Sequence, residues 1–224
     1  MQQHIRQRAR EFAQREVAPV VRQADEERRF PYSLIRRMGE LGLLGGLIPR
    51  EYGGSGFDHL SMALVYEELG RVDSSIRGFV TVQCSLVATS IWRWGTEEQR
   101  RTFLPRLASG EWIGCYCLTE PQAGSDVASL RTEVRQDGES FVLNGEKIWI
   151  TNGLSADVGI VLATHDRSQR HRGISAFLIR LDAPGIFRER MPGVELGHRA
   201  SEHARIVFRE CRVPKSALLG GVGE

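Results

Sequence analysis

The chain has 224 residues, of which 41% are hydrophobic and 26% are charged, and its 30 basic residues nearly balance its 28 acidic ones. This length and apolar content predict one large or two smaller folded domains and exclude a disordered tail. No apolar stretch approaches the ~18 residues of a membrane span, and the polar, arginine-rich residues 1–15 are not typical of a signal peptide. We therefore expect a soluble, cytoplasmic globular protein.

The cysteines and arginines argue against two kinds of site. The four cysteines include no CxxC pair and no zinc-site spacing, so we expect buried, reduced thiols and no bound metal. Many arginines alternate with acidic residues, which favours a solvated surface over a nucleic-acid-binding patch. The arginines that show this alternation are Arg8, Arg10, Arg22, Arg36 and Arg100.

The first half of the chain has helical periodicity. Apolar residues recur at helical spacing in residues 6–24, 32–44 and 62–69, and the apolar run of residues 79–94 is long enough for a buried helix. Pro19 is expected to kink or break the first of them. Thr96 followed by Gln99 is typical of a helix N-terminus. We predict an N-terminal helical bundle domain over residues 1–111.

After Gly110 the pattern changes to short apolar runs separated by turn residues. Asp137-Gly138 and Asn144-Gly145 are both typical of tight turns. The runs that we assign to strands are residues 113–118, 139–143, 146–151, 158–163, 174–179 and 204–208. Because helices precede strands rather than alternating with them, the fold class is α+β, with an antiparallel β-barrel or sandwich over residues 112–224.

Two segments of the second half could carry chemistry. In residues 116–126, Pro121 stops strand pairing, and a Gly124-Ser125 turn could aim amides and a hydroxyl at a phosphate, although such turns are also ordinary structural punctuation. In residues 147–153, strand alternation places Trp149 and Thr151 on one face, where a ring and a hydroxyl would suit a flat heteroaromatic ligand. The same pair could be a core tryptophan beside a capping threonine.

Together these segments resemble the signatures of the acyl-CoA dehydrogenase family. The family carries Leu-Thr-Glu-Pro-x-Ala-Gly-Ser-Asp, here residues 118–126, and then Asn-Gly-x-Lys-x-Trp-Ile-Thr-Asn, here residues 144–152. Further family-like stretches lie at residues 49–56, 95–105 and 213–220, so the resemblance covers almost the whole chain. It implies a helical domain, a middle β domain and a C-terminal four-helix domain, with FAD between the last two.

The resemblance also implies the residues that contact cofactor and substrate. Thr119 and Thr151 would hydrogen-bond the isoalloxazine edge, where hydroxyls stabilise the charge that arrives with a hydride. Trp149 would pack on the ring, and Ser125 would approach both the FAD pyrophosphate and the acyl-CoA. The residues implied to line the flavin are Tyr116, Cys117, Leu118, Thr119, Gly124, Ser125, Trp149, Ile150 and Thr151.

The family's reaction is α,β-dehydrogenation of an acyl thioester. A glutamate removes the α-proton, the β-hydride passes to the flavin, and electrons leave to an electron-transfer flavoprotein. The resemblance places that glutamate in the C-terminal domain, and Glu224 matches neither position known to carry it. We therefore assign no catalytic residue and expect the missing helices to come from a longer natural chain or from a homo- or hetero-oligomeric partner.

The sequence leaves alternatives open for both the substrate and the activity. Residues 75–83 resemble the segment in which glutaryl-CoA dehydrogenases carry an arginine for a distal carboxylate; Arg77 lies at that place, but Gly78 stands where those enzymes have serine. A surface arginine and a polar acyl group on a carrier protein are the other interpretations. For the activity itself, the alternatives are an inactive remnant or binding module and a flavin-dependent monooxygenase, although the intact Thr-Glu-Pro motif favours a dehydrogenase.

Overall fold

The computed structural model describes residues 1–193 and 195–223, so that Glu224 lies outside the described residues. In this part of the chain, a helical first half precedes a β-sheet, as the periodicity predicts. The α-helices are α1 (Gln2–Phe12), α2 (Ala18–Glu27), α3 (Ser33–Glu40), α4 (His59–Gly70), α5 (Ser74–Val80), α6 (Thr89–Trp94) and α7 (Glu97–Ser109).

Two π-helical segments interrupt otherwise continuous helices. One, at Ala13–Val17, joins α1 to α2, and the other, at Thr81–Ala88, joins α5 to α6. Pro19 lies in the first turn of α2, where a residue without an N–H is tolerated best. The kink or break expected at Pro19 is therefore a π-helical turn just before it, and the helical path continues to Glu27.

The predicted start of α7 is confirmed by a complete capping box. The Thr96 hydroxyl accepts a hydrogen bond from the Gln99 backbone N–H at 3.2 Å, and the Gln99 side chain accepts one from the Thr96 N–H at 2.9 Å. The Gln99 amide also donates to the Ser216 carbonyl at 2.8 Å. The same side chain thus caps a helix and fastens it to the sheet half of the chain.

The second half forms a mostly antiparallel sheet. Its strands are β1 (Gly114–Cys117), β2 (Glu133–Asp137), β3 (Ser140–Ile150), β4 (Val158–Thr164), β5 (Ile174–Arg180), β6 (Ile186–Arg190), β7 (Ala204–Pro214) and β8 (Leu218–Leu219). The order is β6-β7-β3-β2-β4-β5-β8, with β1 also on β4. Strands β1 and β2 pair with β4 in parallel, which the sequence patterns did not predict.

One predicted turn is wrong. Asp137-Gly138 does connect β2 to β3, but Asn144-Gly145 lies inside β3, at a register shift against β7. A Cβ on Gly145 would lie 2.5 Å from the Thr132 hydroxyl and 2.6 Å from the Thr132 Cα. The glycine is therefore needed for close approach of another backbone rather than for a hairpin.

The helical and sheet halves share a hydrophobic core. Buried residues of α1, α4 and α5 belong to the same cluster as Cys115 and Cys117 of β1 and the inward-facing residues of β3 and β7. At the junction the fully buried Gln83 amide donates to the Leu107 and Trp112 carbonyls and accepts from the Gly114 N–H at 2.7 Å. The start of β1 is thereby fixed against the helices.

Candidate flavin and thioester site

The two sequence motifs lie beside each other at the ends of β1 and β3. The Ile148 N–H donates to the Thr119 carbonyl at 2.9 Å, so the chain after β1 runs along the last residues of β3. The Asn152 side chain is buried and donates to the Gly114 carbonyl at 3.1 Å. Residues 118–126 and 144–152 therefore form one structural unit, although a strand and two loops separate them in sequence.

A buried ion pair holds this unit together. The Lys147 ammonium contacts a Glu120 carboxylate oxygen at 2.6 Å and donates to the Leu118 carbonyl at 3.1 Å, and both side chains are almost fully excluded from solvent. The same carboxylate accepts hydrogen bonds from the backbone N–H groups of Arg131 and Thr132 and from the Gln122 side chain. The buried carboxylate is thus fully partnered by the unit and by the backbone of the neighbouring residues 131 and 132.

Burial and the mutual charge interaction shift the pKa values of Glu120 and Lys147. Burial alone would raise the pKa of Glu120, but the Lys147 charge and the hydrogen bonds outweigh it and lower that pKa to about 2. Burial lowers the pKa of Lys147, and the Glu120 charge opposes this shift. Glu120 is therefore ionised at neutral pH, and its 2.6 Å contact favours the charged form of Lys147. The sequence motifs assign no role to these two residues, although the sequence holds a signal: Lys147 is one of only two lysines in the chain, and it lies next to the apolar end of a strand.

Trp149 occupies an unusual position at the end of this unit. Its backbone φ is +57°, a left-handed conformation that a bulky side chain adopts rarely, and 48% of the residue is exposed. The register of β3 against β7 shifts between Lys147 and Ile150, and this irregularity turns the indole outward. Such strain, of roughly 1–3 kcal/mol, is found most often at binding and catalytic sites.

The two predicted hydroxyl donors are available for a ligand. Thr119 and Thr151 are both half-buried, and neither hydroxyl has a hydrogen-bond partner within the described residues. The strand ends at Ile150, so Thr151 lies in the turn after it and not on a strand face as predicted. The backbone hydrogen bond between Ile148 and Thr119 nevertheless brings the Thr119 segment alongside the end of β3 and Trp149.

Four of the remaining predicted flavin residues lie on or next to β1 and β3, and they divide into three groups. The Cys117 and Ile150 side chains are buried in the core, so only their backbone atoms could contact a ligand. Leu118 is half-buried, and its carbonyl is taken by Lys147. Tyr116 is half-buried on the opposite face of β1 and lines a cavity of about 230 Å³ with Ser90, Trp94, Ile160, Leu162, Ala176, Leu219 and Gly220.

Gly124 and Ser125 are exposed in the loop after β1. A Cβ on Gly124 would have no described atom within 4 Å, and its φ is not positive, so neither packing within the described chain nor backbone strain requires a glycine there. The neighbouring Asp126 pairs with Arg170 at 3.3 Å, which leaves Ser125 at the rim of the unit.

Arg77 lies apart from these residues, in the last turn of α5. It is half-buried, and within the described residues no carboxylate lies within 4.0 Å of its guanidinium. Its neighbour Gly78 is buried against the His198 imidazole. A half-buried cation without an internal counterion is suited to an anionic ligand.

An exposed aromatic ring beside free hydroxyls and exposed backbone fits a flavin. The indole offers a flat apolar face, Thr119 and Thr151 offer donors for ring heteroatoms, and the loop at Gly124 has room for close approach. A larger cavity of about 530 Å³ lies between α7 and the β7–β8 segment, and none of the predicted flavin residues lines it. Residues 1–193 and 195–223 contain no cluster of metal-ligating side chains and no helix with the length and apolarity that a bilayer crossing requires.

Comparison with known proteins gives matches along nearly the whole chain. Residues 1–111 match the acyl-CoA dehydrogenase N-terminal domain, and residues 115–211 match the acyl-CoA dehydrogenase middle domain. The mitochondrial short-chain specific acyl-CoA dehydrogenase of Rattus norvegicus is 40% identical over 221 residues, which cover 99% of this chain and 53% of the rat protein. The chain thus spans about half the length of the curated relatives it matches.

Solved structures agree with the described architecture. A glutaryl-CoA dehydrogenase from Mycobacterium smegmatis in complex with FADH2 is 41% identical and superposes with a TM-score of 0.92, over 98% of this chain and 55% of that one. A chain of the structure reported for the electron transferring flavoprotein of Acidaminococcus fermentans is also 41% identical, with a TM-score of 0.95, over 100% of this chain and 58% of that one.

Proposed function

Since the chain belongs to the acyl-CoA dehydrogenase family, we propose that it supplies the helical and middle domains of an FAD-dependent enzyme that dehydrogenates an acyl thioester between its α and β carbons. The observation that carries this proposal is the unit locked by Glu120 and Lys147, which presents Trp149 and two unpartnered threonine hydroxyls together. The FADH2 complex of the M. smegmatis relative supports the choice of flavin.

The residues of this chain would bind and orient the cofactor. When bound, FAD would supply the acceptor for the hydride that leaves the β-carbon of the thioester. Trp149 would cover one face of the isoalloxazine, and the Thr119 and Thr151 hydroxyls would donate to its edge, where negative charge develops. Ser125, exposed at the rim, would hydrogen-bond the pyrophosphate and the thioester.

The proton-accepting glutamate and the remaining helices would come from outside the described residues. The two glutamates of residues 118–126 and 144–152 are already engaged, Glu120 with Lys147 and Glu146 with Arg205, both at 2.6 Å. We propose that a C-terminal helical domain, in the same natural chain or in a partner, completes the flavin site and brings the base. An electron-transfer flavoprotein would then accept the electrons.

A chimera tests this proposal. Residues 1–223 are joined to the part of the rat short-chain enzyme that this chain does not span, and the chimera and the 224-residue chain are compared for bound FAD and for dye reduction with butyryl-CoA. We expect weak FAD binding and no turnover from the chain alone, and stoichiometric FAD with turnover from the chimera. A chimera that unfolds cooperatively but takes up no FAD would support the inactive-remnant alternative. Robust dye reduction by the 224-residue chain would contradict the placement of the base.

The same chimera tests whether the acyl group is carried by CoA or by an acyl carrier protein. Butyryl-CoA and a butyryl thioester of an acyl carrier protein are offered separately, at equal concentration, and the rates of dye reduction are compared. A clear preference for CoA supports the proposed acyl-CoA substrate, whereas turnover of the carrier-bound thioester alone would favour the carrier-protein alternative.

For the acyl group we propose a distal carboxylate that pairs with Arg77. The supporting observation is the half-buried guanidinium without an internal counterion, and a hydrogen bond to a charged group is worth roughly 1.5–3 kcal/mol. In the chimera, Arg77→Ala should lower the preference for glutaryl-CoA over butyryl-CoA about ten-fold or more. Arg71→Ala is the matched control, because Arg71 is exposed and pairs with Glu67 at 2.9 Å. An unchanged preference in Arg77→Ala would rule this substrate class out.

A further inference from the structure

Two histidines connect the exposed tryptophan of the site to helix α5. The His203 ring meets the Trp149 indole edge to face, with centroids 6.1 Å apart and planes at 71°. The His198 ring stacks with His203, with centroids 5.5 Å apart and planes at 22°. Neither histidine belongs to the motifs that identified the site, and both lie in the loop between β6 and β7.

Each imidazole is fixed by a hydrogen bond away from the stack. His203 Nδ1 lies 2.6 Å from a Glu195 carboxylate oxygen, and His198 Nδ1 lies 2.9 Å from the Ser74 hydroxyl at the start of α5. Two further ties hold the same segment against the helices, Arg199 to Asp25 at 2.9 Å and Glu202 to the Tyr32 hydroxyl. The ring that touches Trp149 is therefore held from both halves of the chain.

Helix α5 is shaped to receive His198. A Cβ on Gly78 would lie 2.8 Å from His198 Cε1 and 2.9 Å from Nε2, well inside contact distance. The imidazole thus takes the volume that any side chain at position 78 would fill. Burial lowers the pKa of His198, and the His203 and Arg77 charges add to this effect, which outweighs the opposing Asp73 and Glu195 carboxylates. The ring is therefore neutral at neutral pH and can be stacked without the cost of a buried charge.

We propose that His203, backed by His198, is a positioning residue for Trp149 and makes the flavin-facing indole sensitive to packing on α5. This inference rests on the proposed function in one respect, that Trp149 contacts the flavin. A backbone φ of +57° at Trp149 persists only where the surrounding structure stabilises it, and the aromatic contact with His203 is one such interaction. His203 is the ring in aromatic contact with it within the described residues.

The first test needs no cofactor. The chain has four tryptophans, so a ¹⁵N-labelled sample gives four indole N–H resonances, and Trp149→Phe assigns the relevant one. We expect His203→Ala to shift the Trp149 resonance and leave the other three in place, which also shows that the fold is intact. His203→Phe keeps a ring at this position and should move the resonance back toward its original place. His171→Ala, an exposed histidine, is the matched control.

A double-mutant cycle tests the link to α5. Gly78→Ala alone should shift the Trp149 resonance, because the added methyl group must displace the His198 ring. In a His198→Ala background the same substitution meets no ring and should shift it far less. Equal shifts in both backgrounds, or an unmoved Trp149 resonance in His203→Ala, would overturn the proposal.

FAD titration separates this inference from the proposed function. An edge-to-face aromatic contact of ordinary strength predicts that His203→Ala weakens the apparent FAD affinity roughly two- to ten-fold and that His203→Phe restores most of it. Equal affinities in all three proteins would contradict the positioning role. If no variant binds FAD, including the unmodified chain with a C-terminal domain supplied, the proposed function fails, and the indole resonances still decide whether His203 positions Trp149.

Discussion

Replacing Lys147 with methionine removes one half of the buried ion pair and keeps the aliphatic part of the side chain. The Glu120 carboxylate would lose its 2.6 Å partner, and the Leu118 carbonyl would lose its 3.1 Å donor. The volume of the core changes little, because methionine occupies nearly the space of the lysine stem. The substitution therefore isolates the charge interaction that joins the two motifs.

The expected cost follows from the partners that Glu120 retains. Removing one partner of a buried ion pair typically costs 3–5 kcal/mol. Glu120 keeps three N–H donors, from Gln122, Arg131 and Thr132. We therefore expect the lower end of that range, about 3 kcal/mol at pH 7. The chain offers a matched control in its other lysine: Lys215 pairs with Glu139 at 2.7 Å on the surface, and Lys215→Met should cost less than about 1 kcal/mol.

Urea unfolding measures both variants. With a urea dependence of about 3 kcal/mol/M, Lys147→Met should lower the unfolding midpoint by about 1 M without changing the slope. The pKa of Glu120 in the folded chain, about 2, lies below its ordinary value of 4.5, so its stabilising contribution is complete above pH 4.5 and is lost as pH falls toward 2. The difference between the unmodified chain and Lys147→Met should therefore shrink from pH 7 to pH 3. A midpoint shift no larger than that of Lys215→Met, or a difference independent of pH, would refute the reasoning.

Three further predictions concern the frame of the site. Gly145→Ala should lower the free energy of unfolding in urea by about 2 kcal/mol, because the added Cβ would lie 2.5 Å from the Thr132 hydroxyl. Gly124→Ala is the control: it adds a methyl group in open space and should change stability by less than about 0.5 kcal/mol. Equal effects of the two substitutions would contradict the packing argument. Glu68 is buried between Arg10 and Arg6, and their hydrogen bonds lower its pKa to about 2. Glu68→Gln should therefore make the free energy of unfolding less dependent on pH between pH 4.5 and 2. Glu67→Gln removes an exposed carboxylate and should not have this effect. Gln83→Leu should cost roughly 3 kcal/mol in thermal or urea unfolding, because it leaves the Gly114 N–H and two carbonyls of the domain junction without partners; a cost below about 1 kcal/mol would show that water replaces them.

Local patterns were sufficient for the order of helices before strands, but they did not identify β2, β6 or β8 as strands. The capping box at Thr96 and the turn at Gly138 depend on contacts within four residues, and the structure contains both. The turn predicted at Asn144-Gly145 is wrong because an Asn-Gly pair also occurs within strands where the glycine packs against another backbone. Here that backbone is at Thr132, and no pattern next to Gly145 in the sequence indicates the contact. The parallel pairing of β1 with β4 joins residues more than forty positions apart and leaves no local signature.

The site likewise combines features that the sequence motifs predict with features that depend on residues far apart in the chain. The resemblance brought the motifs of Thr119 and Trp149 together, and the structure adds what holds them: a buried lysine that reaches a glutamate 27 residues away. The aromatic contact of His203 with Trp149 could not be predicted, because it depends on how the loop between β6 and β7 folds over α5. Strain at Trp149 likewise arises from a register shift between strands, which is a property of the sheet.

The most direct test of the central claim is a titration of FAD against the chain, with a C-terminal helical domain supplied, in Trp149→Leu and Phe187→Leu variants. Both residues are exposed aromatics, but Phe187 lies on β6, outside the two motifs. If residues 118–126 and 144–152 form the flavin-facing surface, Trp149→Leu should weaken FAD binding roughly ten-fold and reduce the quenching of flavin fluorescence, and Phe187→Leu should leave both unchanged. Equal affinity and equal quenching in the two variants would contradict the account.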